Sequence, residues 1–174
     1  MIIEEFNGIK FHDLEGETIE ALVNGDKNIL EVGCGSRKTI PHSIGLDILP
    51  KGKNVHNVFP PGVSIADIIC DVSKKLPIED LSQDIVIARH TLEHIVDVAE
   101  ALESWNRVLK IGGKLILALP DHAIANTILM DNTHVHAFTK ESSRKIISKF
   151  GFKHLQDLDP KNDISFISCY EKIN

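Results

Sequence analysis

Residues 28–35 read Asn28-Ile29-Leu30-Glu31-Val32-Gly33-Cys34-Gly35, an apolar run of strand length ending in a turn that carries two glycines. A chain that turns sharply beside a ligand needs residues without side chains at the closest points, and Gly33 and Gly35 supply them. Amides exposed by such a turn can bond a carboxylate or a phosphate, so the turn by itself does not name its ligand. A dinucleotide-binding turn needs a third small residue where this chain has Lys38, because close helix-to-strand packing excludes a long side chain there. Lys38 therefore counts against a dinucleotide. Glu31, two residues before the first glycine, puts a carboxylate where it can brace the turn and orient the surrounding amides.

Outward from this turn the chain alternates short apolar runs with longer stretches of helical periodicity, the pattern of a parallel sheet covered by helices. Strands are expected at 28–32, 44–48, 65–70, 84–88 and 114–119, most of them apolar on both faces as buried parallel strands are. A helix is expected at 14–23, with Asp13 as its N-cap and Asn24-Gly25 as its stop. Another spans 97–110, where Val98, Leu102, Trp105 and Leu109 recur at helical spacing before Gly112-Gly113, and a third follows Thr139 and ends at Gly151. Residues 152–158 and 164–170 read as two strands joined by the polar turn 159–163, close enough to pair antiparallel. The expected fold class is α/β: a Rossmann-like, doubly wound, mostly parallel sheet with an antiparallel C-terminal strand. It forms one domain over residues 1–174, with 1–26 as an N-terminal helical segment. Residues 120–139 follow the fifth strand at the carboxyl edge, where open α/β sheets bind ligands, and are the expected substrate loop.

With 174 residues, 43% of them hydrophobic and 25% charged, the chain can bury one sizeable core, and disorder, collagen-like repetition and coiled coil are excluded as global descriptions. The net charge of -6 and the lack of any long basic run argue against nucleic acid; Lys51 with Lys53, and Arg37 with Lys38, make only small local patches. No stretch has the apolar length of a membrane span, and Glu4 and Glu5 stand where a signal peptide would carry positive charge. Cys34, Cys70 and Cys169 are scattered singly, without the pairing of a metal site or a disulfide framework. A cytoplasmic protein with a small-molecule substrate, able to form a homo-oligomer, is the expectation.

The second strand ends in Gly45-Leu46-Asp47, whose carboxylate is placed to accept hydrogen bonds from both hydroxyls of a ribose. Asp71 closes the third strand in the same way, and with the Val72 backbone it suits the amine and ring nitrogen of an adenine. Together with Leu76-Pro77, Asp84-Ile85-Val86-Ile87, Leu92-Glu93-His94 and residues 107–114, and in this order, these strings resemble the class I S-adenosylmethionine-dependent methyltransferases, close to the type 11 group. The resemblance covers about residues 29–120. It implies S-adenosylmethionine as cofactor. Its methionine end would be held at Gly33, Cys34 and Gly35, its ribose at Asp47 and the adjoining Ile48, and its adenine at Asp71 and Val72. Glu31 would support the turn, and the segment from Arg89 to His94 would border the sulfonium and the substrate. Ser36-Arg37-Lys38 replaces the family's third glycine, and the short distance from Gly35 to the second strand implies a brief first helix.

His90-Thr91-Leu92-Glu93-His94 also fits the H-x-x-E-H pattern of a zinc hydrolase class, which needs both histidines on one continuous helix. His90 instead follows directly on an apolar strand, so no metal is expected. His134 and His136, with Asp121 and His122 upstream, enrich the substrate loop in groups that titrate near neutrality, and in an extended chain the first two share a face. His134, His136 and His90 are the candidate catalytic residues, as proton acceptors from a substrate hydroxyl. Three functions fit the sequence: a small-molecule methyltransferase, a non-catalytic cofactor- or partner-binding module, and a zinc hydrolase.

Overall fold

A computed structural model describes residues 3–6, 9–25, 27–55, 62–161 and 164–174. It opens with an antiparallel hairpin of β1 (Ile3–Phe6) and β2 (Ile9–His12), followed by α1 (Leu14–Glu20). Then come β3 (Ile29–Val32), β4 (Ile44–Asp47), a small hairpin of β5 (Asn54–Val55) and β6 (Gly62–Val63), and β7 (Ile68–Ile69). The second half contains β8 (Gln83–Arg89), α2 (Val98–Val108), β9 (Leu109–Pro120), α3 (Thr127–Met130), α4 (Lys140–Ile147), β10 (Phe152–Leu158) and β11 (Ser165–Lys172).

Seven strands form the main sheet in the order β10-β11-β9-β8-β3-β4-β7. β7, β4, β3, β8 and β9 are parallel, whereas β11 pairs antiparallel with both β9 and β10. The fold class is the one expected, with the reversed C-terminal strand lying inside the sheet and β10 on its edge. Alternate residues of the strands feed two apolar layers. Leu30, Val32, Val86 and Ala88 pack with Leu102, Trp105 and Val108 of α2 and Ile147 of α4, while Ile29, Ile85, Ile87 and Ile116 pack with Ile19 of α1. Asp13, Asp97 and Thr139 cap α1, α2 and α4, each accepting a bond from a backbone amide in the first turn. Among the described residues no helix is long and apolar enough to cross a membrane.

Three expectations change. The N-terminal segment is not wholly helical, since the period-two pattern Ile9-Lys10-Phe11-His12 makes a strand before α1 begins. β9 starts at Leu109, directly after α2, so Gly112-Gly113 lies within a strand rather than after a helix. Between β3 and β4 no helix forms, and residues 33–43 make only turns and bends. Thr39 and Ile40 are β-branched, and Pro41 disfavours helical backbone in the residue before it. Of the expected turn 159–163, Asn162 and Asp163 lie outside the described residues.

A loop without a helix needs other acceptors for its amides. Glu31, 4% exposed, supplies them: its carboxylate accepts from Thr39 N at 2.7 Å, Ile40 N at 2.8 Å and Ser43 Oγ at 2.7 Å. Lys38 adds a second tie, donating to the Ser43 carbonyl at 2.7 Å and to Asp67 at 3.0 Å, and Asp67 accepts from Gly45 N at 2.9 Å. Replacing Glu31 by Ala strands three donors, each costing on the order of 1–3 kcal/mol when buried without a partner. Urea unfolding should therefore show Glu31→Ala destabilised by about 3 kcal/mol or more, with Glu31→Gln intermediate because its amide oxygen keeps one acceptor.

Candidate cofactor and substrate site

The carboxyl ends of β3, β4 and β7 stand side by side. Strands spaced about 4.8 Å apart spread these three ends over about 10 Å. Each end carries one of the expected contacts. At β3, Gly33 has φ +69° and Gly35 φ +54°, a left-handed path open to glycine. Gly33 N and Cys34 N both donate to the Leu46 carbonyl, at 2.8 and 3.0 Å. Gly35 N donates to Asp47 Oδ2 at 2.8 Å, which locks the glycine turn to the acid on the next strand. Asp47 Oδ1 accepts from Leu49 N at 2.8 Å, and a carboxylate oxygen with one partner keeps a lone pair for another. Asp47 is thus fixed in place with acceptor capacity left for a ribose. Ile48, next to it, is 64% exposed and presents an apolar face at the same edge.

After β7, Asp71 is exposed, and its Oδ1 accepts from Ser73 Oγ at 2.6 Å and Ser73 N at 2.9 Å. The Ser73 hydroxyl, then the Ser73 amide, holds this carboxyl below the usual range. Val72 is buried, and its carbonyl accepts from Trp105 Nε1 at 3.0 Å, so α2 fixes the backbone beside Asp71. The residues present fit an adenosine laid across three strand ends, because two acids and an apolar side chain line one edge beside a turn of small residues. The Cys34 thiol is buried, and burial with the nearby Asp47, Glu31 and Asp67 carboxylates pushes its pKa up to about 12. Only its backbone is suited to a ligand. Glu31 contributes through the loop it holds, not by reaching the turn amides.

The segment after β8 forms the other side. Thr91 packs against Gly33 so closely that a Cβ on Gly33 would lie 2.3 Å from Thr91 Oγ1, while that hydroxyl donates to the Val32 carbonyl at 3.1 Å. Arg89 is not available to a cofactor. Its guanidinium is tied to both oxygens of Asp13 and, at 2.8 Å, to Glu15. His90, in a left-handed conformation at φ +49°, donates through Nε2 to Glu15 at 3.0 Å and sets Nδ1 3.3 Å from Glu93 Oε1. Burial opposes its protonation, but the Glu15 and Glu93 carboxylates outweigh that and push its pKa up to about 9. At neutral pH it is a cation and a poor proton acceptor. The Ser165 hydroxyl at the start of β11 also donates to Glu15, so α1, β8 and β11 meet at one buried carboxylate. Sequence reasoning missed this junction; Asp13 announced only a helix cap.

The 120–139 loop, the expected substrate loop, packs on the Leu92-Glu93-His94 turn. Val135 N and His136 N both donate to the Glu93 carbonyl, at 2.9 and 3.1 Å. This fastening turns His134 inward, with Nδ1 on the Thr127 carbonyl at 2.8 Å and its ring 4.7 Å from that of His94. His136 points elsewhere, its Nε2 3.3 Å from the Val96 carbonyl. His94 Nδ1 faces the Thr133 hydroxyl at 3.0 Å and carbonyl at 3.3 Å. Leu92–His94 is one 3-10 turn, so His90 and His94 do not share the continuous helix that the zinc hydrolase pattern requires. A cavity of about 350 Å³ lined by Lys27, Asp84, Lys110 and Lys114 lies at the opposite, amino edge of the sheet and is no part of this site.

Two outcomes follow from these contacts. Gly33→Ala meets both the Thr91 side chain and an unfavourable φ; Gly33→Ala with Thr91→Gly relieves only the first, so thermal unfolding should leave the double variant about 1–2 kcal/mol below native and the single variant lower still. The Glu15 carboxyl is subject to burial, which raises its pKa, but the His90 hydrogen bond and charge, Arg89 and Ser165 together hold it well below the usual range. A depressed folded pKa stabilises above the unfolded value and loses that contribution as pH falls. Glu15→Gln should thus cost on the order of 2 kcal/mol at pH 7 in urea titrations. The gap to native should narrow steadily below about pH 4.

A family model described as a methyltransferase domain matches residues 30–117. The protein YafE of Escherichia coli is 36% identical over 75 residues, covering 38% of this chain and 36% of that one. Sterol 4-C-methyltransferase of Caenorhabditis elegans is 25% identical over 143 residues, covering 67% of this chain and 43% of that one. The chain spans between 12 and 43% of the length of the curated relatives it matches. Among solved structures, an S-adenosylmethionine-dependent methyltransferase of Mesorhizobium loti superposes with a TM-score of 0.66 at 14% identity, over 91% of this chain and 97% of that one, a likeness of fold. The match to the family model spans half of this chain, from β3 into β9, and by it the chain belongs to the type 11 group of class I S-adenosylmethionine-dependent methyltransferases.

Proposed function

We propose that this protein transfers the methyl group of S-adenosylmethionine to a small organic acceptor held under the 120–139 loop. The observation that carries the reading is the Gly35-to-Asp47 hydrogen bond, which fixes a glycine turn and an acceptor for a ribose as one unit beside Ile48, Asp71 and Val72. The cofactor supplies a methyl on a sulfonium, so the leaving group is already activated and the protein's part is alignment. Holding two reactants in line contributes about 7–11 kcal/mol. Gly33 to Gly35 and Asp47 would fix one partner. The loop that Glu93 fastens would fix the other.

If the acceptor arrives as a hydroxyl, it must lose a proton. His134 is the group best placed to take it. Its Nδ1 faces a carbonyl, which only accepts, so the ring donates there and Nε2 carries the lone pair. His90 is held as a cation, and His136 lies against Val96, which leaves both behind His134 as candidates. Ile124, Leu129 and Met130 on the loop and Val96 beside it are more than half exposed, which favours an acceptor with an apolar body. A non-catalytic cofactor-binding module shares the first half of this reading and none of the second.

Calorimetry with the demethylated cofactor should show one site, and Asp47→Ala should weaken it tenfold or more, the loss expected for charge-assisted bonds to ribose hydroxyls. Absence of binding would refute both versions. In a screen against hydroxylated apolar metabolites, His134→Ala should keep cofactor affinity and lower kcat by about a hundred- to ten-thousand-fold.

A further inference from the structure

Glu93 is 1% exposed, and among the described residues no hydrogen bond reaches either oxygen of its carboxylate. His90 Nδ1 lies 3.3 Å and His134 Nε2 4.0 Å from its Oε1. A carboxylate taken out of water in this way is costly unless cations compensate it, and the one beside it, His90, is shared with Glu15. His94 and His134 stand beside it, and one donor atom from each of the three residues lies within 4.8 Å of the others. The tautomers suit ligation. His134 commits Nδ1–H to the Thr127 carbonyl, and His94 Nδ1 faces the Thr133 carbonyl and hydroxyl, so both rings turn Nε2 toward open coordination. A ring nitrogen fixed by a backbone carbonyl is the usual companion of a metal-binding imidazole.

We infer that Glu93, His94 and His134 form a site for a divalent d-block cation, with Zn(II) the reference ion. Two imidazoles and a carboxylate suit this class rather than Mg(II) or Ca(II), which prefer oxygen alone. Ligand atoms about 2.1 Å from a shared ion stand about 3.4 Å apart in a tetrahedron, so side-chain shifts of about 1 Å close the site. His134 Nε2 stands 4.0 Å from Oε1, the oxygen that His90 Nδ1 also faces at 3.3 Å, so the ion would share this carboxylate with His90. The fastening of residues 135 and 136 to the Glu93 carbonyl sets the spacing of the three ligands. Three protein ligands leave a fourth position open to water or to an oxygen of the acceptor.

Binding at this site does not depend on the methyltransferase reading; only its use there does. A bound ion lowers the proton affinity of a coordinated hydroxyl so that its proton passes to solvent, and His134 is then a ligand rather than the base. Both roles make His134→Ala inactive, so metal binding itself has to be measured.

Co(II) added to the native protein, without cofactor, is expected to bind at one equivalent with the visible absorption of a tetrahedral or five-coordinate site. Zn(II) should displace it, and a thousandfold excess of Mg(II) should not. His94→Ala and His134→Ala should each weaken Co(II) at least tenfold, Glu93→Gln likewise with the side-chain shape kept, and His154→Ala on β10 should leave it unchanged. Zn(II) should also raise the Tm of the native protein and not that of the His94 or His134 variants, a readout that first reports whether each variant is folded. No stoichiometric Co(II) in the native protein, or undiminished binding in folded His94→Ala and His134→Ala, would overturn the site. Metal binding without cofactor binding would sink the methyltransferase reading and leave the site standing.

Discussion

Everything at the cofactor end depends on the buried Glu31 carboxylate and its three donors. The crossover from β3 to β4 is too short, and too rich in β-branched residues before Pro41, for a helix that would satisfy its own backbone. One side chain from the preceding strand does that instead. Because Thr39, Ile40 and Ser43 are held, β4 begins in register, Leu46 meets the amides of Gly33 and Cys34, and Asp47 meets that of Gly35. The glycine turn therefore owes its shape to an acid eight residues from the amides that acid binds, acting through the loop between them.

A second buried acid governs the opposite wall. Glu15 gathers Arg89, His90 and Ser165, so the N-terminal helix, the end of β8 and the start of β11 close on one another without any apolar contact among those side chains. Arg89 and His90 are spent in this junction. What remains facing the substrate loop is Glu93 with the two histidines beside it. The two walls are joined by Thr91, whose hydroxyl fills the space that any side chain at position 33 would need.

The fold was legible because its strands are apolar on both faces and its helices carry capping residues at their starts, signals that are local. Asp13 caps α1 where the sequence places an N-cap, and α2 and α4 begin directly after Asp97 and Thr139, within a residue of their expected starts. The N-terminal hairpin was missed because two four-residue strands give too short a pattern to outweigh a neighbouring helix. The missing crossover helix is half legible, since the spacing from Gly35 to the second strand is short, but nothing in the sequence shows that the Glu31 carboxylate turns back onto Thr39, Ile40 and Ser43 in place of a helix. For the site, Gly33, Gly35 and Asp47 stand out in the sequence because they follow or close apolar strands, while the Gly35-to-Asp47 hydrogen bond is visible only in the structure. The ties that hold Arg89 leave no mark in the sequence because its partners are 74 and 76 residues away, and no local pattern announces an ion pair of that separation.

Charge balance links the two halves of the site. Asp13, Glu15 and Glu93 share the end of β8 with Arg89 and His90, Arg37 also acts on Asp13, and among the described residues Glu93 is the one of the three acids whose carboxylate oxygens accept no hydrogen bond. In a site of low polarizability an uncompensated carboxylate attracts whatever cation can approach it. A sulfonium is such a cation, and it loses its charge when the methyl leaves, so under the proposed function a field that draws the cofactor in would weaken its hold on the product. A metal ion at Glu93 would occupy that carboxylate and shift the attraction from the sulfonium to the oxygen of the acceptor. Which cation the third carboxylate serves thus decides whether this corner acts on the methyl donor or on the methyl acceptor.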